Sequence, residues 1–218
     1  IVGEDPNTTI IDAQGNSRVF LFFDSYQNGI ENITVTGGNA GWPSWSGSGG
    51  GIFCYNASPN IKNCIIANNY AGFIGGGLHF EAYSDPHLIN VTIQYNNVVL
   101  YGGGISFLDE STGILDNVTI QFNHAGTIYF IAMGGGLVCA DISTLTIMNS
   151  NIVSNTAYNE SGNNGTGGGV FLSRANTSFN NVNILSNYSA YAGGGLACLD
   201  ASPTIEYSNI YYNETGGN

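Results

Sequence analysis

The sequence predicts an all-β fold, a parallel β-helix solenoid of about seven to eight coils with 26–33 residues per coil. Three observations carry that expectation. Triple glycines end at Gly51, Gly77, Gly104, Gly136, Gly169 and Gly195, spaced by 26, 27, 32, 33 and 26 residues. An Asn-marked segment, as in Asn90-Val91-Thr92-Ile93-Gln94-Tyr95-Asn96, recurs with its second asparagine at Asn69, Asn96, Asn123, Asn155, Asn187 and Asn213. Each triple glycine opens a short alternating run such as Leu78-His79-Phe80, and period-two alternation points one side chain inward and the next outward.

Taken in order, residues 1–30 make an irregular first coil and residues 31–218 the repeats, together one domain. A degenerate copy, Asn32-Ile33-Thr34-Val35-Thr36-Gly37-Gly38, opens the series. In each unit the Asn-marked strand comes first, then a loop, the glycines, a second strand and a polar turn. Pro59, Pro86 and Pro203 sit at three of those turns, where a fixed φ and a missing donor are tolerated. The alternation predicts three inward stacks. One runs Ile52, Leu78, Ile105, Leu137, Val170, Leu196, and beside it lies Cys54, Phe80, Phe107, Cys139, Leu172, Cys198. The third is Val35, Ile66, Ile93, Ile120, Ile152, Ile184, Ile210.

Segments such as Leu88–Asn96 also fit a leucine-rich repeat. That solenoid needs a helical or 3₁₀ back side, and glycine triplets stand where it would run. Coils this long with variable loops argue against the left-handed β-helix, whose rhythm is a tighter hexapeptide. The asparagines at 69, 96, 123, 155, 187 and 213 should stack as a ladder, each in the left-handed conformation of a corner and each amide bonded to the next. The glycines should supply unusual φ/ψ where a loop enters a strand. A phosphate cradle is excluded, because no helix or lysine follows them.

Composition agrees. Glycine counts 32 and asparagine 29, while charged residues are only 8% and hydrophobic ones 43%. Disorder requires the reverse balance, and collagen requires glycine at every third position. Three Lys+Arg against 15 Asp+Glu leave a net charge of −12. Nucleic acid is therefore excluded as a partner, and anionic polysaccharide is disfavoured unless calcium bridges it. No apolar run is long enough to cross a membrane as a helix. The start at Ile1 and the stop one loop after Asn213 suggest a processed piece of a longer solenoid, whose open ends invite end-to-end association.

Four cysteines permit one intra-coil pair, Cys54–Cys64; Cys139 and Cys198 lie two coils apart, about 10 Å, too far for a bond. Buried free thiols are the favoured reading. His79, His87 and His124 occupy different parts of different coils and read as isolated surface residues. Asp109, Asp141 and Asp200 share one repeat position, an acidic stripe that reads as a solvated turn or a weak calcium site. No other cofactor is indicated. The loops between ladder and glycines leave one corner and should form a raised aromatic edge. It carries Trp42, Trp45, Tyr70, Phe73, Tyr101, Tyr129, Phe130, Tyr158, Tyr188 and Tyr191, the kind of side chains that bind a glycan or a protein surface.

The repeats resemble those of single-stranded, right-handed parallel β-helix proteins of the pectin-lyase-like superfamily. Gly134-Gly135-Gly136-Leu137-Val138 and Ile120-Gln121-Phe122-Asn123-His124-Ala125 are also similar to the GG-A-I and F-x-x-N repeats of polymorphic outer membrane proteins. This chain has a third Gly for the Ala and mostly Ile for the Phe. Its opening Ile1-Val2-Gly3-Glu4-Asp5-Pro6-Asn7-Thr8-Thr9-Ile10-Ile11-Asp12 resembles the start of many secreted β-helix proteins. The resemblance implies an extracellular or cell-surface location. It also raises two enzyme classes, lyases with an Arg or Lys base beside calcium and hydrolases with clustered aspartates. Arg18, Lys62 and Arg174 are the whole basic complement, spread along the axis, and no Asp-Asp pair occurs. The leading expectation is a non-catalytic module, an adhesive or ligand-presenting rod. A lyase or hydrolase with its machinery outside or disguised in this chain is the alternative, and a structural spacer the third reading.

Overall fold

The computed structural model describes residues 1–26, 28–41, 47–127, 130–159 and 164–216. Every named strand pairs in parallel, and no α-helix occurs among the described residues. A typical coil holds four strands: Leu78–Glu81, His87–Ile89, Thr92–Gln94 and Asn97–Val98. Their equivalents build four sheets, here numbered 1 to 4 in that order. Sheets 1, 2 and 4 hold seven strands each and sheet 3 holds eight, because Ile10–Asp12 adds to its end. Five coils are thus stacked on both sides, between a first and a last coil covered on one side only. The expected seven to eight coils are corrected to these five full turns, since the outermost strands lack a neighbour.

The three inward stacks form as the alternation requires. Leu78 registers with Ile52 and Ile105, Phe80 with Cys54 and Phe107, and Ile93 with Ile66 and Ile120. Together with a sheet 2 column including Ile61, Leu88, Leu115 and Ile147 they make one continuous core. Phe80 and Phe107 stack within it at 4.8 Å. All four cysteines are free. Cys54, Cys64 and Cys139 are buried, but Cys198 is exposed, which corrects the buried reading for it: no coil covers the last one.

The ladder asparagines from Asn69 to Asn187 are almost completely buried, with Asn213 in the last coil only partly so. Asn96 Nδ2 donates to Asn123 Oδ1 at 3.0 Å and to the Ile66 carbonyl at 2.9 Å. Its Oδ1 accepts from both the backbone N–H and the Nδ2 of Asn69 at 3.0 Å. The same pattern runs on to Asn213. Their backbone corrects one expectation. The left-handed residue is the one before the ladder position, Asn68, Tyr95, Phe122, Ser154, Ser186 or Tyr212, and not the ladder asparagine itself. A second ladder was not foreseen. Asn63, Asn90 and Asn117 are the left-handed residues between sheets 2 and 3, and each donates to the corner asparagine of the preceding coil.

The triple glycines divide their work. In Gly75-Gly76-Gly77 only Gly75 has a left-handed φ, +68°. A Cβ on Gly76 would lie 2.3 Å from the Gly103 carbonyl oxygen of the next coil. One on Gly77 would lie 2.6 Å from that of Gly104 and 3.0 Å from the Asn96 amide. Two of the three glycines therefore serve close stacking of the coils and the ladder, not backbone conformation.

Candidate functional site

The loops between ladder and glycines are more ordered than a raised edge. Each begins with a two-residue strand of sheet 4, such as Tyr70–Ala71 or Thr156–Ala157. Before the glycines the chain joins a fifth ladder, in which Ile74, Tyr101 and Met133 are bridged in turn. Ala132–Met133 and Gly165–Thr166 are its paired strands, and Thr166 bridges on to Ala192. The fifth ladder lies over the outer face of sheet 1, so the outward residues Phe53, His79, Ser106, Val138 and Phe171 are all buried.

Tyr70, Phe130, Tyr158 and Tyr191 are exposed, whereas Phe73, Tyr101 and Tyr188 are half-buried. Tyr158 stands 4.6 Å from the His124 ring and 6.2 Å from that of Tyr188. Trp42, Trp45 and Tyr129 lie outside the described residues. The calls thus divide between the outer surface of sheet 4 and the fifth ladder.

One groove brings an aromatic and an acidic candidate together. It runs over sheet 1 and encloses about 280 Å³. Ile74, Tyr101 and Met133 of the fifth ladder form one wall, and Val138 and Phe171 the floor. Leu108, Ala140, Asp141 and Ser173, at the corner after sheet 1, form the other wall. It is an apolar trough with a carboxylate at its rim. Asp109, Asp141, Arg174 and Asp200 all occupy the left-handed position of that corner. Asp141 is ion-paired with Arg174, both partly exposed. Among the described residues no three His, Cys, Asp or Glu side chains converge as a metal site would require.

His79 corrects the reading of isolated surface histidines. It is 1% exposed, stacked 5.1 Å from the Phe53 ring. Its Nδ1 lies 2.7 Å from Ser106 Oγ and its Nε2 3.2 Å from Glu81 Oε2. A carboxylate only accepts, so Nε2 carries a proton toward Glu81, while Nδ1 pairs with the serine hydroxyl. Serine, histidine and carboxylate in series share the connectivity of an acyl-transfer triad. The burial decides against that chemistry: Ser106 is 0% exposed, and its Oγ lies where a Cβ on Gly75 would collide at 2.8 Å. No substrate carbonyl reaches it. The trio ties adjacent strands of sheet 1 together and satisfies polar groups buried beneath the fifth ladder. His124 is likewise partnered, its Nδ1 2.9 Å from Thr156 Oγ1.

The basic residues do not converge either. Arg18 lies over the Phe53 ring in the first coil, and burial lowers its pKa from the ordinary value. Lys62 lies in sheet 2 opposite Glu31, and Arg174 is engaged by Asp141 several coils away. No protein-family profile, curated protein or solved structure matches the chain.

Proposed function

We propose that this chain is a non-catalytic binding rod, an extracellular or cell-surface module that presents the groove over sheet 1 to a glycan. The groove carries the reading. Tyr101, Met133, Val138 and Phe171 offer an apolar trough for the C–H faces of a sugar, and Asp141 at the rim accepts from hydroxyls. The similarity of the repeats to right-handed, pectin-lyase-like β-helices supports a carbohydrate ligand, and the net charge of −12 favours an uncharged one. The exposed Tyr70, Phe130, Tyr158 and Tyr191 add contacts beside the groove. The spread of Arg18, Lys62 and Arg174 along the axis supports binding over turnover by a lyase.

A glycan array tests this. The wild-type chain is expected to retain uncharged oligosaccharides. Tyr101→Ala and Met133→Ala, both at partly exposed positions, should each weaken retention about tenfold, the loss of roughly 1.4 kcal/mol of contact. Equal retention by the variants, with melting curves unchanged, would contradict the groove as the site.

A further inference from the structure

The outer face of sheet 3 differs from the rest of the surface. From each corner position to its ladder asparagine, as in residues 90–96 and 117–123, no segment contains an Asp, Glu, Lys, Arg or His. The neighbouring sheet 2 strands carry Glu31, Lys62, His87, Asp116 and Glu206. In place of charge, these seven segments present amides in file, and Asp12 in the end strand is the one carboxylate of the sheet. Gln121 donates to Gln94 at 2.8 Å, and Asn209 to Asn183 and Asn183 to Asn151 at 2.9 Å. Each such bond engages one of an amide's two N–H groups, leaving further donor and acceptor capacity on the face.

Beside them stand two rings in a costly conformation. Tyr95 and Phe122 are stacked at 5.2 Å with planes 9° apart, 49% and 45% exposed. Both have φ of +54°, a conformation disfavoured for bulky side chains. Equivalent positions hold Asn68, Ser154 and Ser186 in three other coils and a further exposed ring, Tyr212, in the last, so the corner itself does not require a ring. Strained, exposed aromatic residues on an uncharged face point to a ligand.

We propose that the outer face of sheet 3 binds the surface of an insoluble, uncharged polysaccharide. Rows of amides at the strand spacing of about 4.8 Å offer a repeating lattice of donors and acceptors to repeating hydroxyls. The ring pair has a small residue in register at either end, Asn68 and Ser154, and an outer ring face above each takes the C–H side of a sugar. This deepens the glycan-binding reading and rests on it, but it uses a different face from the groove.

The test is co-sedimentation with chitin and with microcrystalline cellulose. The wild-type chain should leave the supernatant with at least one of these solids, and about 1 M salt should not release it, since no charge is involved. Tyr95→Ser with Phe122→Ser should fold, as serine already occupies this position in two coils, and should lose sedimentation tenfold or more. Tyr101→Ala in the groove should sediment like wild type while losing soluble oligosaccharides, so the two sites fail separately. Wild type left in solution with both solids, release by salt, or a double variant that sediments unchanged would overturn the proposal. Shaping of ice crystals without sedimentation would also overturn it and assign the face to ice.

Discussion

At the scale of residues, the buried ladder amides are the polar groups whose loss should cost most. Asn123 Nδ2 donates to Asn155 Oδ1 and to the Ile93 carbonyl, and its Oδ1 accepts two bonds from Asn96. Asn123→Ala should therefore cost about 3 kcal/mol or more, because partners above and below are left buried and unpaired. Asn90→Ala, in the exposed corner ladder, should cost less, about 1–2 kcal/mol, mostly for alanine at a left-handed φ. Urea unfolding of the two variants measures the contrast. The thiols make a second residue-scale prediction. Burial pushes the Cys139 thiol up to about 12, and that of Cys54 well above its ordinary range. A raised folded-state pKa means that the folded chain holds its proton after the unfolded chain has lost it. The thiol's contribution is thus complete below the unfolded value of about 8.5 and lost as pH rises towards 12, by up to about 1.4 kcal/mol per pH unit. Stability curves at alkaline pH should flatten in Cys139→Val. In the native chain at pH 8, an alkylating reagent read by mass spectrometry should label Cys198 first, as the exposed thiol.

At the scale of elements, the strands were legible because inward and outward residues alternate; two inward stacks follow from counting forward from the glycines and the third from counting back from the ladder asparagines. Other features were hidden for physical reasons. The two-residue strands of sheet 4 are too short to show a period. The fifth ladder takes one or two residues from loops of different length, so no spacing announces it. His79 sits at an outward position, and only the fifth ladder above it makes that position buried. The left-handed residues before the ladder were missed because Tyr95 and Phe122 are poor candidates for that conformation by composition. The glycine triplet is the element whose role changed most, from conformational freedom to close approach. Gly76→Ala should accordingly destabilise the chain by more than about 2 kcal/mol although its φ is ordinary, since the colliding atom is a backbone carbonyl that cannot yield. A melting temperature within a degree or two of wild type would contradict that account.

At the scale of the whole molecule, parallel stacking turns a repeated sequence into four long faces with separate chemistry. Sheet 1 is roofed by the fifth ladder and leaves a groove, sheet 3 is uncharged beyond its end strand Ile10–Asp12, and the corner after sheet 1 gathers acids. The groove was only half legible. Tyr101 and Asp141 were singled out for separate reasons, and the fold brings them to one trough, whereas Val138 and Phe171 read only as outward strand positions, and nothing in the repeat showed that Met133 would lie over them. The central claim is that this rod binds a glycan and leaves it intact. The most direct measurement is a titration with uncharged oligosaccharides in which the ligand is recovered after prolonged incubation and weighed by mass spectrometry. Saturable binding, weakened by Tyr101→Ala, with every oligosaccharide recovered at its starting mass is the predicted result. New reducing or unsaturated ends, or no saturable binding to any of them, would contradict it.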